Sequence, residues 1–327
     1  MKSYMIVIII GTGLTVHAET SSEFRNAIRN GAVGKYVYRV VDDEGVPVSN
    51  AAAHVWFKSY GRPQDKADWI IETDTNGMFA AEHRFNEKFS VGIDKEGYYH
   101  THDEVNYFGM ASPIVVDGKW QPYGETRTVV LKKIRNPWGV KVLTGEQCHR
   151  RIPKFDEWIG FDFEQGDWSW PYGTGKYKDI LVRFKSSVRK RQVDFTHVME
   201  VSFTNNQYAG FYQMKKDMAS DLVSDYTANS NALYKTDLVY VQEKLEKTPR
   251  RWDFLDKDSY LVFRTRTRID EDGKLVGAHY GKIYGYWCSD DEEMTFCGGC
   301  FNITENDPNI EGDQTLLYKI KNYKAAK

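Results

Sequence analysis

The chain has 327 residues, a formal net charge of −2, 41% hydrophobic residues and 14% aromatic residues. This length exceeds the usual size of one hydrophobic core, so two domains are expected, and the aromatic content excludes a disordered chain. The near-neutral charge excludes a general attraction to nucleic acid or to an anionic membrane.

The first 18 residues have the pattern of a signal peptide. Lys2 precedes an apolar run over residues 5–10, and Val16 and Ala18 fit the small-residue positions before a cleavage site. The run is shorter than the about 20 residues of a membrane helix, although an uncleaved interfacial anchor is an alternative. We therefore expect a secreted or periplasmic envelope protein with no integral membrane segment after cleavage. Residues 19–33 predict a lead-in segment, as a short helix or a loose arm.

Residues 34–135 predict a first domain of short strands. Three polar turns, each ending in glycine, separate apolar runs, and glycine accepts the positive φ at which a turn returns to a strand. So many short strands with frequent turns indicate a sandwich or barrel. The predicted strands are 36–41, 51–57, 70–73, 78–84, 89–93 and 126–132.

The order of elements within residues 36–99 carries a resemblance. A first strand is followed by a loop containing Pro47, then by a hairpin with aromatic residues, then by a strand that leads to Gly97 and Tyr98. This arrangement resembles the carboxypeptidase regulatory-like domain of many secreted and cell-surface bacterial proteins. The resemblance implies an Ig/transthyretin-like β-sandwich that is accessory and carries no chemistry of its own.

Residues 138–327 predict a second β-rich domain, a β-sandwich or a jelly-roll-like fold, so the whole chain is expected to be all-β. The segment 268–273 predicts a tight hairpin turn, the segment 215–226 has weak helical spacing, and the segment 233–242 fits either a strand or a helix. The predicted strands are 160–163, 179–184, 199–203, 260–269 and 274–287.

Three motifs of this second part are similar to motifs of uncharacterised exported bacterial proteins. They are GFDFEQGDWSWPYGTGK (160–176), HYGKIYG (279–285) and FNITENDPNIE (301–311). In those proteins a carboxypeptidase regulatory-like domain likewise precedes such a module. The resemblance implies a fold and an exported location, and it implies no activity.

All four cysteines lie in the second part, at Cys148, Cys288, Cys297 and Cys300. An even number in an exported chain favours disulfides. Cys288 with Cys297, and Cys148 with Cys300, is one of three possible pairings. A zinc site is the alternative, in which Cys297 and Cys300 form one half of the site and Cys288 with Cys148 or His149 completes it.

His100 and His102 would share one face of a strand and could contribute to a metal site. No third ligand stands out in the sequence, so the main interpretation is a polar loop after the fifth strand. We expect no metal or cofactor, with zinc or calcium as the alternatives.

Three carboxylates lie in the motif 160–176, at Asp162, Glu164 and Asp167. Asp162 and Glu164 alternate with phenylalanines, which predicts a solvated face of a half-buried strand. Carboxylates so spaced also suit calcium or contact with a sugar, whereas their separation along a strand is too large for a retaining glycosidase pair on its own.

Trp168 and Trp170 would share a face and, with Tyr172, could form a platform for sugar rings. Packing of these tryptophans in the core is the favoured interpretation, and the platform is the alternative. A separate cationic stripe is predicted on one exposed sheet face, where Arg264, Arg266 and Arg268 alternate with other residues.

No nucleophile elbow or phosphate-cradling loop is present in the sequence. The favoured hypothesis is an exported, non-enzymatic protein that binds a glycan or another envelope protein. The alternatives are a secreted hydrolase acting on carbohydrate or peptide through Asp162, Glu164 or Asp167, and a purely structural envelope component.

Overall fold

The computed structural model describes residues 22–61, 67–107, 114–137, 140–143, 148–190, 192–203, 207–253, 255–285, 287–296 and 298–312. The predicted signal peptide at 1–18 lies outside these residues. The helix α1 (Ser22–Asn30) falls within the predicted lead-in segment. Among the residues described, no helix combines the length and the apolar character needed to cross a membrane.

The described strands show that the all-β prediction is correct. They are β1 (Ala32–Asp42), β2 (Ala52–Lys58), β3 (Ala67–Glu72), β4 (Met78–Phe85), β5 (Lys88–Asp94), β6 (Thr101–Asn106), β7 (Val115–Val116), β8 (Lys119–Trp120), β9 (Thr126–Leu131), β10 (Lys141–Leu143), β11 (His149–Arg151), β12 (Trp158–Asp162), β13 (Asp167–Trp168), β14 (Ile180–Lys190), β15 (Asp194–Ser202), β16 (Gly210–Lys215), β17 (Asp237–Lys244), β18 (Arg251–Trp252), β19 (Ser259–Ile269), β20 (Leu275–Ile283), β21 (Trp287–Ser289), β22 (Glu293–Phe296) and β23 (Gly299–Phe301).

The chain forms two compact units. The first extends to Ile93 and includes His102–Val130, and the second comprises Asp94–Thr101 together with the chain from Leu131 onwards. The division at Val130 and Leu131 differs from the predicted boundary at 135. The segment Asp94–Thr101, which the sequence placed in the first domain, belongs to the second unit.

The first unit is a sandwich of two sheets. One contains β4, β1, β8 and β7 in that order, with β9 also pairing with β1, and the other has the order β3, β2, β5, β6. Its core is aromatic, because alternate residues of each strand point inward. Tyr36 of β1 stacks on Phe89 of β5 at 3.9 Å between ring centroids, and Phe57 of β2 contacts Phe85 of β4 at 5.2 Å.

The second unit contains three sheets. Their orders are β13-β12-β14-β15-β17-β18, β10-β23-β20-β19-β16 and β11-β22-β21. A shared apolar core joins residues of all three, and Phe163, which follows β12, stacks on Phe263 of β19 at 4.3 Å. The six-stranded sheet and the five-stranded sheet of this unit therefore pack face to face, as in a sandwich.

Glu311, at the end of the motif 301–311, explains why the segment around Tyr99 belongs to the second unit. Its carboxylate is 1% exposed and accepts hydrogen bonds from the Tyr99 hydroxyl at 2.9 Å, the Arg135 amide at 2.8 Å and the Asn136 amide at 2.6 Å. Tyr99 also packs with Leu222 in a small apolar cluster. The motif therefore anchors two chain segments that are distant in sequence.

Most of the predicted strands are present, including the β19–β20 hairpin at 268–273. The weak helical prediction for 215–226 was wrong, because the chain forms turns there after β16. The ambiguous segment 233–242 contributes to strand β17. The predicted polar loop at His100–His102 is also wrong in part, since β6 begins at Thr101.

Candidate functional site

The candidate site is the loop 169–177, which follows β13 and carries the predicted aromatic residues. Trp168 is 3% exposed and belongs to the core, whereas Trp170 is 80% exposed and Tyr172 is 38% exposed. The indole Nε1 of Trp168 donates to the Arg151 carbonyl at 2.8 Å. The core interpretation therefore fits Trp168 and not Trp170. The two do not share a face, because strand β13 ends at Trp168 and the alternation of a strand does not continue into the loop.

Asp162 anchors this loop through hydrogen bonds from backbone amides. Its carboxylate is 0% exposed. Oδ1 accepts hydrogen bonds from the amides of Glu164 and Gln165 at 2.9 and 3.1 Å, and Oδ2 accepts from the amides of Lys176 and Tyr177 at 2.8 and 3.0 Å. A buried carboxylate with four amide donors is well satisfied. Asp162 therefore closes the loop and does not form the predicted solvated face.

Asp167 stabilises the same loop through Thr174. Its Oδ2 accepts hydrogen bonds from the amide and the hydroxyl of Thr174 at 2.9 and 2.8 Å. Burial opposes ionisation of Asp167, but the hydrogen bonds from Thr174 and Trp168 outweigh it and lower the pKa of this carboxyl below its ordinary value. The Asp167 carboxylate is thus also used in hydrogen bonds within the loop.

The glycines of the loop are required by close packing. A Cβ atom on Gly173 would lie 2.4 Å from the carbonyl oxygen of Trp168, and one on Gly175 would lie 2.8 Å from Cβ of Asp162. Both distances are shorter than real Cβ contacts. The motif 160–176 therefore encodes a tightly packed loop that holds an exposed Trp170.

The predicted stripe of three arginines does not exist. Arg264 is buried, with its Nε donating to the Tyr208 carbonyl at 2.6 Å, whereas Arg268 is exposed and forms a bidentate pair with Glu305 at 2.8 and 2.9 Å. A register shift between Thr265 and Arg268 and a φ of 50° at Arg266 interrupt the alternation of β19. The three side chains therefore have different environments.

Arg266 lies at the centre of a buried cluster of three carboxylates. Its guanidinium donates to Asp179 at 2.8 and 3.1 Å, to Asp162 at 3.1 Å and to Glu164 at 2.5 Å, and it lies over the ring of Tyr177 at 3.7 Å. Burial disfavours the charge of Arg266, but Asp179, Glu164 and Asp162 raise its pKa. Burial raises the pKa of Asp179, and Arg266 opposes that change.

This cluster bears on the alternative interpretations of Asp162 and Glu164. Arg266 occupies the space next to both carboxylates that a calcium ion would need, and a cation there would lie against the guanidinium. Among the described residues no group of three or more His, Cys, Asp or Glu could hold a metal ion. The carboxylates therefore have a structural role in the second unit.

The exposed aromatic residues have polar neighbours. The Tyr172 hydroxyl donates to Glu157 at 3.3 Å, and Glu157 in turn pairs with Lys154 at 2.6 Å. The hydrogen bond from Lys154 lowers the pKa of Glu157. We call Trp170, Tyr172, Glu157 and Lys154 the loop surface; it combines aromatic rings with groups that can bind hydroxyls.

The cysteines do not follow the predicted pairing where the structure describes them. The Cys148 thiol donates to the Leu143 carbonyl at 3.3 Å, and the Cys300 thiol donates to the Ile310 carbonyl at 3.6 Å. The Cys148–Cys300 bridge, one of the three pairings left open by the sequence, is therefore not formed, and the two residues belong to different apolar clusters. Cys297 lies outside the described residues, so its pairing with Cys288 stays a prediction.

The two weak metal candidates, His100 and His102, flank Thr101, the first residue of β6. His100 Nδ1 lies 2.9 Å from Asp94 Oδ1, and His102 is an exposed residue of β6.

A cavity that sequence reasoning missed lies elsewhere in the second unit. We call it the Arg250 cavity; its volume is about 630 Å³. Its lining comes from segments that are distant in sequence; of these residues, Cys288 and His149 were singled out in the sequence as zinc candidates, and Gly285 ends the motif 279–285. The residues that line it are His149, Lys216, Gln242, Arg250, Trp252, Lys257, Gly285, Cys288, Ser289, Asp290, Glu293 and Thr295.

A smaller cavity of about 180 Å³ shares Arg250 with it and is lined by His197. His197 is 6% exposed, and its Nδ1 lies 2.9 Å from the Ser186 hydroxyl. Burial lowers the pKa of His197 and Arg250 adds to this, whereas Asp290 and Asp291 oppose it.

We expect the His197→Gln variant to gain stability relative to the wild type as the pH falls below about 6.5, the ordinary histidine pKa. Because the folded-state pKa is below the unfolded value, the unfolded chain binds the proton first, and the contribution of neutral His197 is lost on acidification. Urea midpoints of both proteins at pH 7.5 and pH 5.5 measure this. A difference between the two proteins that stays constant with pH would show that His197 titrates normally.

No family model matches the chain, and no curated protein matches it. Similar solved structures include a chlorocatechol 1,2-dioxygenase from Pseudomonas putida, at 12% identity and a TM-score of 0.26, and a 3-chlorocatechol 1,2-dioxygenase from Rhodococcus opacus 1CP, at 16% identity and a TM-score of 0.26. Each match covers 32% of this chain and 61% of the other, so the chain spans about six-tenths of their length. At these TM-scores the likeness carries no inference about activity.

Proposed function

We propose that the protein is an exported, non-enzymatic binding protein of the cell envelope that contacts a glycan through the loop surface. The observation that supports this most is the 80% exposure of Trp170 on a loop that two carboxylates hold in place. An exposed tryptophan loses hydrophobic stabilisation unless a ligand covers it.

The chemistry of the loop surface favours a sugar as the ligand. Tryptophan and tyrosine rings present flat apolar faces that can stack on the apolar face of a sugar ring. Glu157 and Lys154 lie beside Tyr172 and could bind sugar hydroxyls. The loop is held in a fixed shape, which reduces the entropy that binding would cost.

The rest of the proposal rests on the sequence. The signal-peptide pattern supports export, and the resemblance of residues 36–99 to a carboxypeptidase regulatory-like domain supports an accessory role for the first unit. A secreted hydrolase acting through Asp162, Glu164 or Asp167 remains the alternative, but Asp162 is fully buried, Glu164 pairs with Arg266 and Asp167 is hydrogen-bonded to Thr174. A purely structural envelope component is the other alternative.

A glycan array with purified Trp170→Ala tests the proposal. We expect a loss of binding of about tenfold or more, since aromatic residues at the centre of an interface commonly contribute more than 1 kcal/mol. Trp56→Ala is the matched control, because Trp56 is an exposed tryptophan (39%) of the first unit.

Equal binding by Trp170→Ala and the wild type would contradict the loop surface as the binding site. Absence of glycan binding by the wild type itself would favour the structural alternative.

A further inference from the structure

Two carboxylates, Asp290 and Glu293, line the Arg250 cavity, and each has neighbours other than the cations of the cavity. Oδ1 of Asp290 accepts hydrogen bonds from the amides of Glu292 and Glu293 at 2.7 and 2.8 Å. Oε1 of Glu293 lies 3.6 Å from His149 Nδ1. Oδ1 of Asp290 is therefore used by its own turn and Glu293 lies beside His149, while Asp290 and Asp291 line the smaller cavity together with Arg250.

Three cations line the same cavity, at Lys216, Arg250 and Lys257. Within the described part of the chain, no carboxylate lies within ion-pair distance of any of them; by contrast, the neighbouring Lys215 pairs with Asp256 at 3.1 Å. Lys216 donates instead to the carbonyl of Lys257 at 2.6 Å; burial lowers the pKa of Lys216, and Asp258 and Asp256 oppose this. Because Arg250 and Lys257 are exposed, an anion in the cavity would replace water at these cations with charge-assisted hydrogen bonds.

The cavity also presents a flat ring. Trp252 is 48% exposed, and the guanidinium of Arg250 lies over its ring at 4.1 Å. A ligand bound by Arg250 would thus meet an aromatic surface next to the charge. Gln242, Ser289 and Thr295 add polar groups that could bind hydroxyls. A cavity with a cation, an aromatic ring and several hydrogen-bonding side chains has groups that match the carboxylate, the apolar ring face and the hydroxyls of an acidic sugar.

We propose that the Arg250 cavity binds a carboxylated sugar, with Arg250 and the two lysines on the carboxylate and Trp252 against the ring. The volume of about 630 Å³ lies within the range of small-molecule sites. This site shares no residue with the loop surface, so the two proposals can be tested separately.

Calorimetric titration of the full chain at low salt with sodium glucuronate and with glucose tests this site. We expect glucuronate to bind at least about tenfold more tightly than glucose, because charge-assisted hydrogen bonds are roughly twice as strong as neutral ones. We also expect the glucuronate affinity to fall as salt is added. Equal affinity for the two sugars, or no binding of glucuronate, would overturn the proposal.

Variants then locate the site. Arg250→Gln and Lys216→Gln are each expected to weaken glucuronate binding about tenfold, while Lys215→Gln, one residue from Lys216 but paired with Asp256, leaves it unchanged. The same titrations in the Trp170→Ala background, which removes the loop surface, separate the two sites, because the losses caused by Arg250→Gln and Lys216→Gln are expected to persist there. Unchanged binding of glucuronate in Arg250→Gln would contradict the assignment.

Discussion

Replacement of Arg266 with alanine is expected to destabilise the second unit by about 3–5 kcal/mol, the range found when one partner of a buried ion pair is removed. Without the guanidinium, the fully buried Asp162 and Asp179 lose their shared cation. The loop 169–177 should loosen as well, because Asp162 accepts hydrogen bonds both from Arg266 and from the loop amides of Lys176 and Tyr177. Urea unfolding measures the stability, and hydrogen exchange at the amides of Lys176 and Tyr177 reports on the loop.

Arg268→Ala is the matched control for this prediction. Arg268 lies two residues further along β19 and also pairs with a carboxylate, Glu305, but its side chain is 62% exposed. Exposed ion pairs contribute little to stability, so the urea midpoint should barely move. Similar midpoints for Arg266→Ala and Arg268→Ala would show that the buried cluster does not stabilise the fold.

Replacement of Trp168 with alanine is expected to cost about 3–5 kcal/mol, as for other large aromatic residues removed from a core. Trp168 contacts Phe161 at 5.3 Å and Phe184 at 5.8 Å between ring centroids, and its indole N–H donates to the Arg151 carbonyl. The variant would leave a cavity and remove this hydrogen bond. Thermal and urea unfolding measure the loss.

Trp170→Ala makes the same chemical change two residues away. Because Trp170 is 80% exposed, we expect its stability to stay within about 0.5 kcal/mol of the wild type. A large loss in Trp170→Ala would mean that the ring packs against protein. If Trp168→Ala were as stable as the wild type, the core assignment of Trp168 would be wrong.

The carboxylates of the motif 160–176 show why residue type alone did not locate the site. Acidic residues next to aromatic residues suit both a sugar site and a solvated strand face, and the alternation with phenylalanines favoured the second. Asp162 instead faces a turn of its own chain and an arginine 104 positions away. The partner that determines its role is distant in sequence, so local pattern does not show it.

The Arg250 cavity was missed for a related reason. His149, Lys216, Trp252 and Cys288 lie in separate strands and turns; His149 and Cys288 were singled out only as possible zinc ligands, and nothing in the sequence marked Lys216, Arg250 or Trp252. Their common location depends on how β17, β18, β21 and β22 pair. A basic residue with an ion-pair partner and one without look alike in sequence, as Lys215 and Lys216 do.

Alternating apolar residues and glycine-ended turns were sufficient to predict the all-β fold and most strands of both units, because the side-chain period of a strand and the positive φ of a turn are local properties. Burial of Trp168, exposure of Trp170 and the separate environments of Arg264, Arg266 and Arg268 were decided only by the tertiary structure. A strand end and a register shift change which side of the sheet a residue faces. These features depend on pairing with distant strands, and they place the candidate binding residues.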